Sequence, residues 1–369
     1  MAQPIGVSDP LAEELWSNKQ HLENLEEIFF MKKGMASVEK ADPNDVHMRS
    51  ATNPVVIIEQ MGSRKGQSVN LRLLKQLTRS PRDTSDGAKT RGDTSMVGGE
   101  ESMVYMDCSV WLENLKNAVA MTDFDMAQLR TQAGLEQDAR GLLTTWLVEE
   151  LEEACLDAMH DGWNYNVIQQ ISGPAVTAHP TIVRSNGQGS TADVGGDTTA
   201  KLDMVELRRM YNWSRQKTIT PVKHMGETCF VGLFSPQAIT DLLGDSEFQA
   251  VFPHAAPRSE DNPAIKGYDY KYINMYICSY ERIRAAGTSG AAAKVDVSFV
   301  LGGQSMALAF GTSPRIVMLK ETKYDDAWGR AIRQIIGTRR LDYQTSDDSE
   351  TLNQSSAQWE LYSAREFAA

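Results

Sequence analysis

The sequence predicts an α+β protein in which an N-terminal arm and a long extended hairpin precede one long helix, with a compact α/β domain after it. Three observations carry this. Residues 122–162 repeat apolar side chains at three-and-four spacing without a proline. Two extended segments, Val69–Leu73 and Met103–Met106, flank a turn-rich polar stretch. From Lys201 onward, short strand-like and helix-like patterns alternate.

Residues 1–53 read as the arm. Asp9-Pro10 opens a helical pattern through Leu11, Leu15, Leu22, Leu25, Ile28 and Phe29, and Gly34 can end it. Ser37 to Asn53 is polar and irregular. An amphipathic helix on such a tether is expected to pack on the body or on a neighbouring subunit.

Residues 54–120 are expected to form the extended hairpin. Val55–Ile58 leads in, Val69, Leu71 and Leu73 alternate, and Thr78 to Gly99 is polar and turn-rich. About 20 residues without structure suit a compact domain only if they reach outward to function. Charge supports that reading. From Gly62 to Gly99 there are eight Lys or Arg, including Arg64, Lys65, Arg72, Lys75, Arg79 and Arg82, against three Asp.

Residues 121–200 hold the long helix. Thr122 or Asp123 can cap it, and Asp161-Gly162 offers a left-handed stop. At about 1.5 Å per residue it is a rod of roughly 60 Å. Gly134 and Gly141 each cost about 1 kcal/mol against Ala, which predicts a bend or a close contact there. Between Asp123 and Asp161 the rod has ten Asp or Glu, among them Glu149, Glu150, Glu152 and Glu153, against two Arg. The glycine-rich Ser185–Thr199 reads as a loop or linker.

Residues 201–310 read as the compact domain. A helix is expected over Leu202–Tyr211, and strands over Thr228–Leu233, Tyr268–Tyr280 and Val295–Leu301. Ser235-Pro236 is a helix start with Ser at N-cap and Pro in the first turn. Residues 311–369 add further extended segments and a polar end containing Trp359 and Phe367.

The net charge of −12 argues against a general nucleic-acid-binding role. Cys108, Cys155, Cys229 and Cys278 show no CxxC spacing and read as reduced thiols. The start lacks a signal pattern and no apolar run approaches 18 residues. The expectation is a cytoplasmic protein without membrane insertion.

Catalytic patterns fail one by one. Gly303-Gln304-Ser305-Met306-Ala307 resembles a nucleophile elbow, but that fold needs a histidine downstream, and the last one is His254. The stretch reads instead as a tight turn, with Gly302 and Gly303 supplying a positive φ or a close backbone approach, and Ser305→Ala should be nearly silent. His160-Asp161 reads as a helix-end charge complement, and His224 with Cys229 as structural. There is no HExxH, dinucleotide fingerprint or phosphate-binding loop. No enzyme, cofactor or metal is expected.

The order of arm, basic hairpin, acidic helix, compact domain and return strand resembles the major capsid proteins of tailed phages with the Hong Kong ninety-seven fold. Local strings resemble the N-four-like podovirus branch. They are Gly66-Gln67-Ser68-Val69, Gly98-Gly99-Glu100-Glu101, Asn262-Pro263-Ala264-Ile265-Lys266-Gly267 and, most specifically, Leu301-Gly302-Gly303-Gln304-Ser305 through Gly311. Ser305 stands where that branch usually has Ala, Gln67 where it has Asp, and the tip from Thr78 to Gly92 is enlarged. The resemblance implies an extension loop, a spine helix in a peripheral domain and an axial domain over residues 201–310. It also implies a shell of hexamers and pentamers of this chain enclosing double-stranded DNA, with portal, scaffolding and decoration proteins as partners and no membrane. The basic loop residues and the acidic helix residues named above are then expected at subunit contacts, the loop of one copy lying across the helix of the next. Two other classes fit less well: a protein forming a flat, non-capsid lattice, and an α/β hydrolase with the hairpin as a lid.

Overall fold

The computed structural model describes residues 28–40, 53–59, 68–74, 105–122, 132–162, 179–217, 219–224, 227–255, 270–287, 289–318, 327–345, 351–352 and 355–363. Along the chain they form helix α1 (Phe29–Lys32) and strands β1 (Ala36–Lys40), β2 (Val55–Glu59), β3 (Ser68–Leu74), β4 (Tyr105–Trp111) and β5 (Glu113–Thr122). The long helix α2 (Gln132–Asp161), β6 (Ile182–Arg184), α3 (Thr191–Gly196), α4 (Met204–Gln216), β7 (Val222–His224) and β8 (Glu227–Phe234) follow. Then come α5 (Pro236–Gly244), α6 (Ser246–Ala255), β9 (Tyr270–Tyr272), β10 (Met275–Ser279) and β11 (Val295–Leu301). The chain closes with β12 (Met306–Met318), β13 (Ala327–Arg340), β14 (Tyr343–Thr345), β15 (Thr351–Leu352) and β16 (Ser356–Tyr362).

The strands make three sheets. One has the order β1-β2-β12-β13-β5, the second β6-β16-β11-β8-β10-β9 with β7 on β8, and the third β15-β14-β4-β3. β2 runs parallel to both neighbours, Val55 pairing with Ala36 on one side and Met306 on the other. Burial on both faces suits its unbroken Val-Val-Ile-Ile run.

Side-chain parity stacks the sheets into layers. Val55, Ile57, Met306, Leu308, Ile332 and Ile336 of the five-stranded sheet face the long helix. So do Val297, Phe299, Leu301, Val231 and Leu233 of the seven-stranded sheet. The alternate residues of the seven-stranded sheet, Phe230, Val300, Ala357, Trp359 and Leu361, form a second core with α4 and α5. Val56, Ile58, Ala307 and Ala309 face the hairpin sheet.

The helix therefore lies between two sheets. Ala139, Leu143, Leu147, Leu151 and Cys155 follow a four-residue stripe, and Ala154 through Met159 are all buried. Thr122 ends β5, so it is not the helix cap that the sequence suggested; the described helix begins at Gln132. Gly162 stops it with a φ of +83° and an N–H donated to Ala158 O at 3.0 Å. Gly141 has open space around it, so the close contact expected there is absent.

Arg340, 1% exposed, completes the helix C-terminus. It donates from Nη1 to Met159 O at 3.0 Å and His160 O at 3.2 Å, and pairs through Nη2 with Asp342 at 2.7 Å. A cation at the negative end of the helix dipole is thus buried with its counterion.

The chain differs from its sequence reading in three further places. Residues from Ser37 were expected to be irregular, but Ala36–Lys40 pairs parallel to β2. Within the expected linker 185–199, Ser190 caps α3 in a capping box with Asp193. The expected polar end contains β16, antiparallel to β11 over seven residues and buried throughout. Its charge is absorbed by Arg184, 3.1 Å from Glu360, which also accepts from Thr191 at 3.1 Å.

The turn after β11 ties the layers together. Gly302 N–H donates to Ser355 O at 2.6 Å, Gly303 N–H to Thr220 O at 2.8 Å, and Gln304 N–H to Asn53 O at 2.9 Å. A Cβ on Gly302 would lie 2.2 Å from Thr220 O, while the positive φ, 59°, falls on Gln304 rather than on a glycine. Ser305, 1% exposed, places Oγ 2.6 Å from Ser355 O and 2.9 Å from Gly302 O. Ser305→Ala should therefore not be silent: a buried hydroxyl hydrogen bond is lost, at about 1 kcal/mol, although Ser355 O keeps the Gly302 N–H. Nearby, His179 Nδ1 accepts from Thr181 N–H at 3.0 Å, so Nε2 carries the proton toward Ser356 Oγ at 3.1 Å. Burial, followed by the Arg340 charge, holds the His179 pKa well below its usual value.

Two predictions follow from these contacts. Gly302→Ala should lower stability by more than about 2 kcal/mol, because the clash is with backbone, whereas Gly141→Ala should raise it by about 1 kcal/mol. Denaturant midpoints of the two variants moving in the same direction would contradict this. For His179, the depressed folded pKa means that its stabilisation is present above about pH 6.5 and lost as pH falls toward the folded value. In that window the unfolded chain binds the extra proton. Below pH 6.5 the wild type should lose up to about 1.4 kcal/mol per pH unit more than His179→Gln. Parallel pH profiles of the two proteins would rule this out.

Candidate assembly interface

The hairpin is built on its own subunit before it reaches anything else. β3 and β4 pair in full antiparallel register from Ser68↔Trp111 to Leu74↔Tyr105. Met106, Cys108 and Val110 alternate inward with Leu71 and are buried. They pack on Val56, Ile58, Ala307 and Ala309, whose small alanines admit the second layer. At Gly337 a Cβ would stand 2.1 Å from Trp111 O, so the two backbones touch there. Arg339 Nη1 donates to Ser109 O at 2.5 Å.

This places the predicted loop residues as follows. Arg72 occupies a β3 position opposite Asp107. Arg64, Lys65, Lys75, Arg79 and Arg82 lie outside the described residues. Val69 and Leu71 direct their apolar side chains into the subunit's own core.

The acidic row of the long helix meets cations that the sequence reading did not single out. Arg282 and Arg284 project from the segment after β10. Arg284 lies 2.8 Å from Glu153 and 2.5 Å from Asp157; Arg282 lies 3.4 Å from Glu149 and 3.5 Å from Glu152. Glu152 also accepts the Phe29 N–H at 2.9 Å and, at 3.5 Å, the Tyr280 hydroxyl. Burial pushes the Asp157 carboxyl above its usual range, with Arg284 opposing the shift. Glu152 is thus committed within the chain, while Glu149 and Glu153, at 56% and 55% side-chain exposure, keep open sides. Burial, followed by the charge of the half-buried Glu150, raises the Glu113 pKa.

The remaining chemistry is interior. All four cysteines are buried, and burial pushes the Cys108 thiol up to about 11. Cys229 Sγ lies 3.5 Å from Val222 O. His160 and Asp161 form a 2.7 Å pair at the helix end. Among the described residues no group of three or more His, Cys, Asp or Glu could hold a metal, and no helix is long and apolar enough to cross a membrane.

The architecture matches the Cyanophage Pam1 capsid asymmetric unit with a TM-score of 0.65 at 18% identity, over 89% of this chain and 97% of that one. The capsid of Ralstonia phage GP4 matches at 0.64 and 17%, over 98% of both chains. The acid-stable capsid of Helicobacter pylori bacteriophage KHP30 matches at 0.64 and 11%, over 88% and 94%. These likenesses establish the Hong Kong ninety-seven type of capsid fold. No curated protein matches the chain. A family model described as phage capsid protein matches residues 4–354, and with it the chain belongs to the phage capsid proteins, as a major capsid protein that forms the head shell.

Proposed function

We propose that copies of this chain assemble through hexamers and pentamers into an icosahedral head enclosing double-stranded DNA, with assembly in the host cytoplasm. The observation that supports this most is the family match over nearly the whole chain, together with a hairpin whose described base, β3 and β4, is anchored on the body. Closed shells need heterologous contacts that close into rings, and a projecting segment provides one. The net charge of −12 keeps packaged DNA from adhering broadly to the wall. Portal, scaffolding and decoration proteins are the further partners. The chain acts as a structural protein, not as an enzyme. Ser305 is spent on backbone carbonyls, and Ser356 faces the protonated nitrogen of His179, which therefore cannot serve it as a base.

Within that shell the basic loop of one copy crosses the acidic helix of the next. Exposed Glu149 and Glu153 are its acceptors, and Arg72, Lys75 and Arg79 its donors. Exposed pairs contribute only about 0–1 kcal/mol each, so charge here orients assembly more than it holds the shell.

The full chain expressed alone should give closed, curved particles in negative-stain images; flat sheets only would favour a non-capsid lattice. Replacing residues 75–104 with Asn-Gly preserves the anchored β3–β4 base. That variant should fold with an unchanged melting temperature and stay unassembled in sedimentation; normal shells from it would contradict the loop's role. Changing Arg72, Lys75 and Arg79 to Glu should block assembly, and adding Glu149→Lys and Glu153→Lys should partly restore it. Equal failure of both sets would place the loop elsewhere.

A further inference from the structure

Three cations face one another across the outer strands of the five-stranded sheet. Lys116 on β5 is directly opposite Arg333 on β13, and Arg333 is directly opposite Arg315 on β12. Directly opposed residues leave the same face of a sheet, with strands about 4.8 Å apart. All three side chains are exposed. None of the ion pairs among the described residues includes any of them. Like charges in this register destabilise a sheet, so the isolated subunit carries an arrangement that works against its own folding.

The nearby acid does not relieve it. Glu113 is opposite Ile336, shares the parity of Leu115 and lies on the helix side of the sheet. Arg333 alternates with Ile332, which faces the helix, so the row lies on the other face, beside the hairpin base that covers Gly337. The ladder irregularities between Phe310 and Arg315 open a groove of about 210 Å³ there, lined by Asn114, Thr312, Ser313, Arg315, Arg333 and Ile335. Amide and hydroxyl donors thus surround two guanidinium groups, a set suited to carboxylate recognition. A lysine on an edge strand commonly serves only to deter edge pairing. That explains Lys116 on β5 but not the two arginines on interior strands.

We propose that this row receives carboxylates from a second copy of this chain when the shell forms. The proposal rests on the shell reading above. Charge complementarity selects the occupant. The chain has 49 acidic residues against 37 basic ones, so the surface of a copy supplies the missing counterions. The row also adjoins the hairpin base, which touches β13 at Gly337 through Trp111 O. Nucleic acid fits less well, because the overall field of the chain repels it.

Zero-length carbodiimide crosslinking of full-length particles tests this directly, using a mixture of isotope-labelled and unlabelled chains. Lys116 should be joined to an Asp or Glu of a different copy in particles and not in free subunits. Wild-type particles that form normally while Lys116 stays unlinked and equally acetylatable in both states would overturn the inference and leave the shell reading standing. Wild-type chain that never forms particles would instead sink the shell reading. As a second arm, Arg315→Gln with Arg333→Gln should leave the subunit's melting temperature equal or higher while the assembled fraction falls about tenfold. Normal assembly of that variant would overturn the inference. So would normal shells with reduced DNA content, which would assign the row to packaged DNA.

Discussion

Burial of the long helix between the inner faces of two sheets is the constraint on which the rest depends. Leu143, Leu147, Leu151 and Cys155 are in one core with Val297, Phe299 and Leu301 from one sheet and Ile332 and Ile336 from the other. Burying a Leu-sized side chain contributes about 1.5–3 kcal/mol, so this stripe outweighs any surface ion pair in the molecule. It fixes the distance between the sheets, and the Gly302–Ser305 turn then fixes their relation, because it bonds to backbone from four separate segments.

The helix needs both ends managed to sit there. Its C-terminus is buried, where unpaired carbonyls are costly. Gly162 turns the chain away, and Arg340 supplies donors and positive charge with Asp342 as counterion. Its acidic side is held by Arg282 and Arg284, which tie the seven-stranded sheet to the helix from outside. The hairpin base packs on the opposite face of the five-stranded sheet.

Much of this was legible in the sequence because local signals agreed with the final environment. The four-residue stripe marked the buried face of the helix, Ser235-Pro236 marked the start of α5, and Leu301–Gly311 pointed to a tight turn into a close-packed strand. Other features were hidden because the deciding partner is far along the chain. Residues 356–362 read as polar since Glu360 and Gln358 interrupt the apolar positions, yet Arg184, at a sequence separation of 176, neutralises Glu360. Ala36–Lys40 becomes a strand only because β2 lies beside it. Thr122 reads as a helix cap because β5 ends in Ala-Met-Thr, which suits either structure; Asp123, the other cap candidate, lies outside the described residues. At the interface, the acidic row was visible, but its partners Arg282 and Arg284 were not, since no local rule connects them to the helix. The opposed cations Lys116, Arg333 and Arg315 become visible only once strand register is known.

The core that joins the long helix to both sheets lies within one chain, and assembly is expected to add contacts only at its outside. Hydrogen–deuterium exchange on free subunits and on assembled particles measures this most directly. Amides of residues 143–159 and 295–301 should be equally protected in both states, with new protection in particles confined to the hairpin and the outer strands. Rapid exchange of residues 143–159 in free subunits, with protection appearing only in particles, would contradict it.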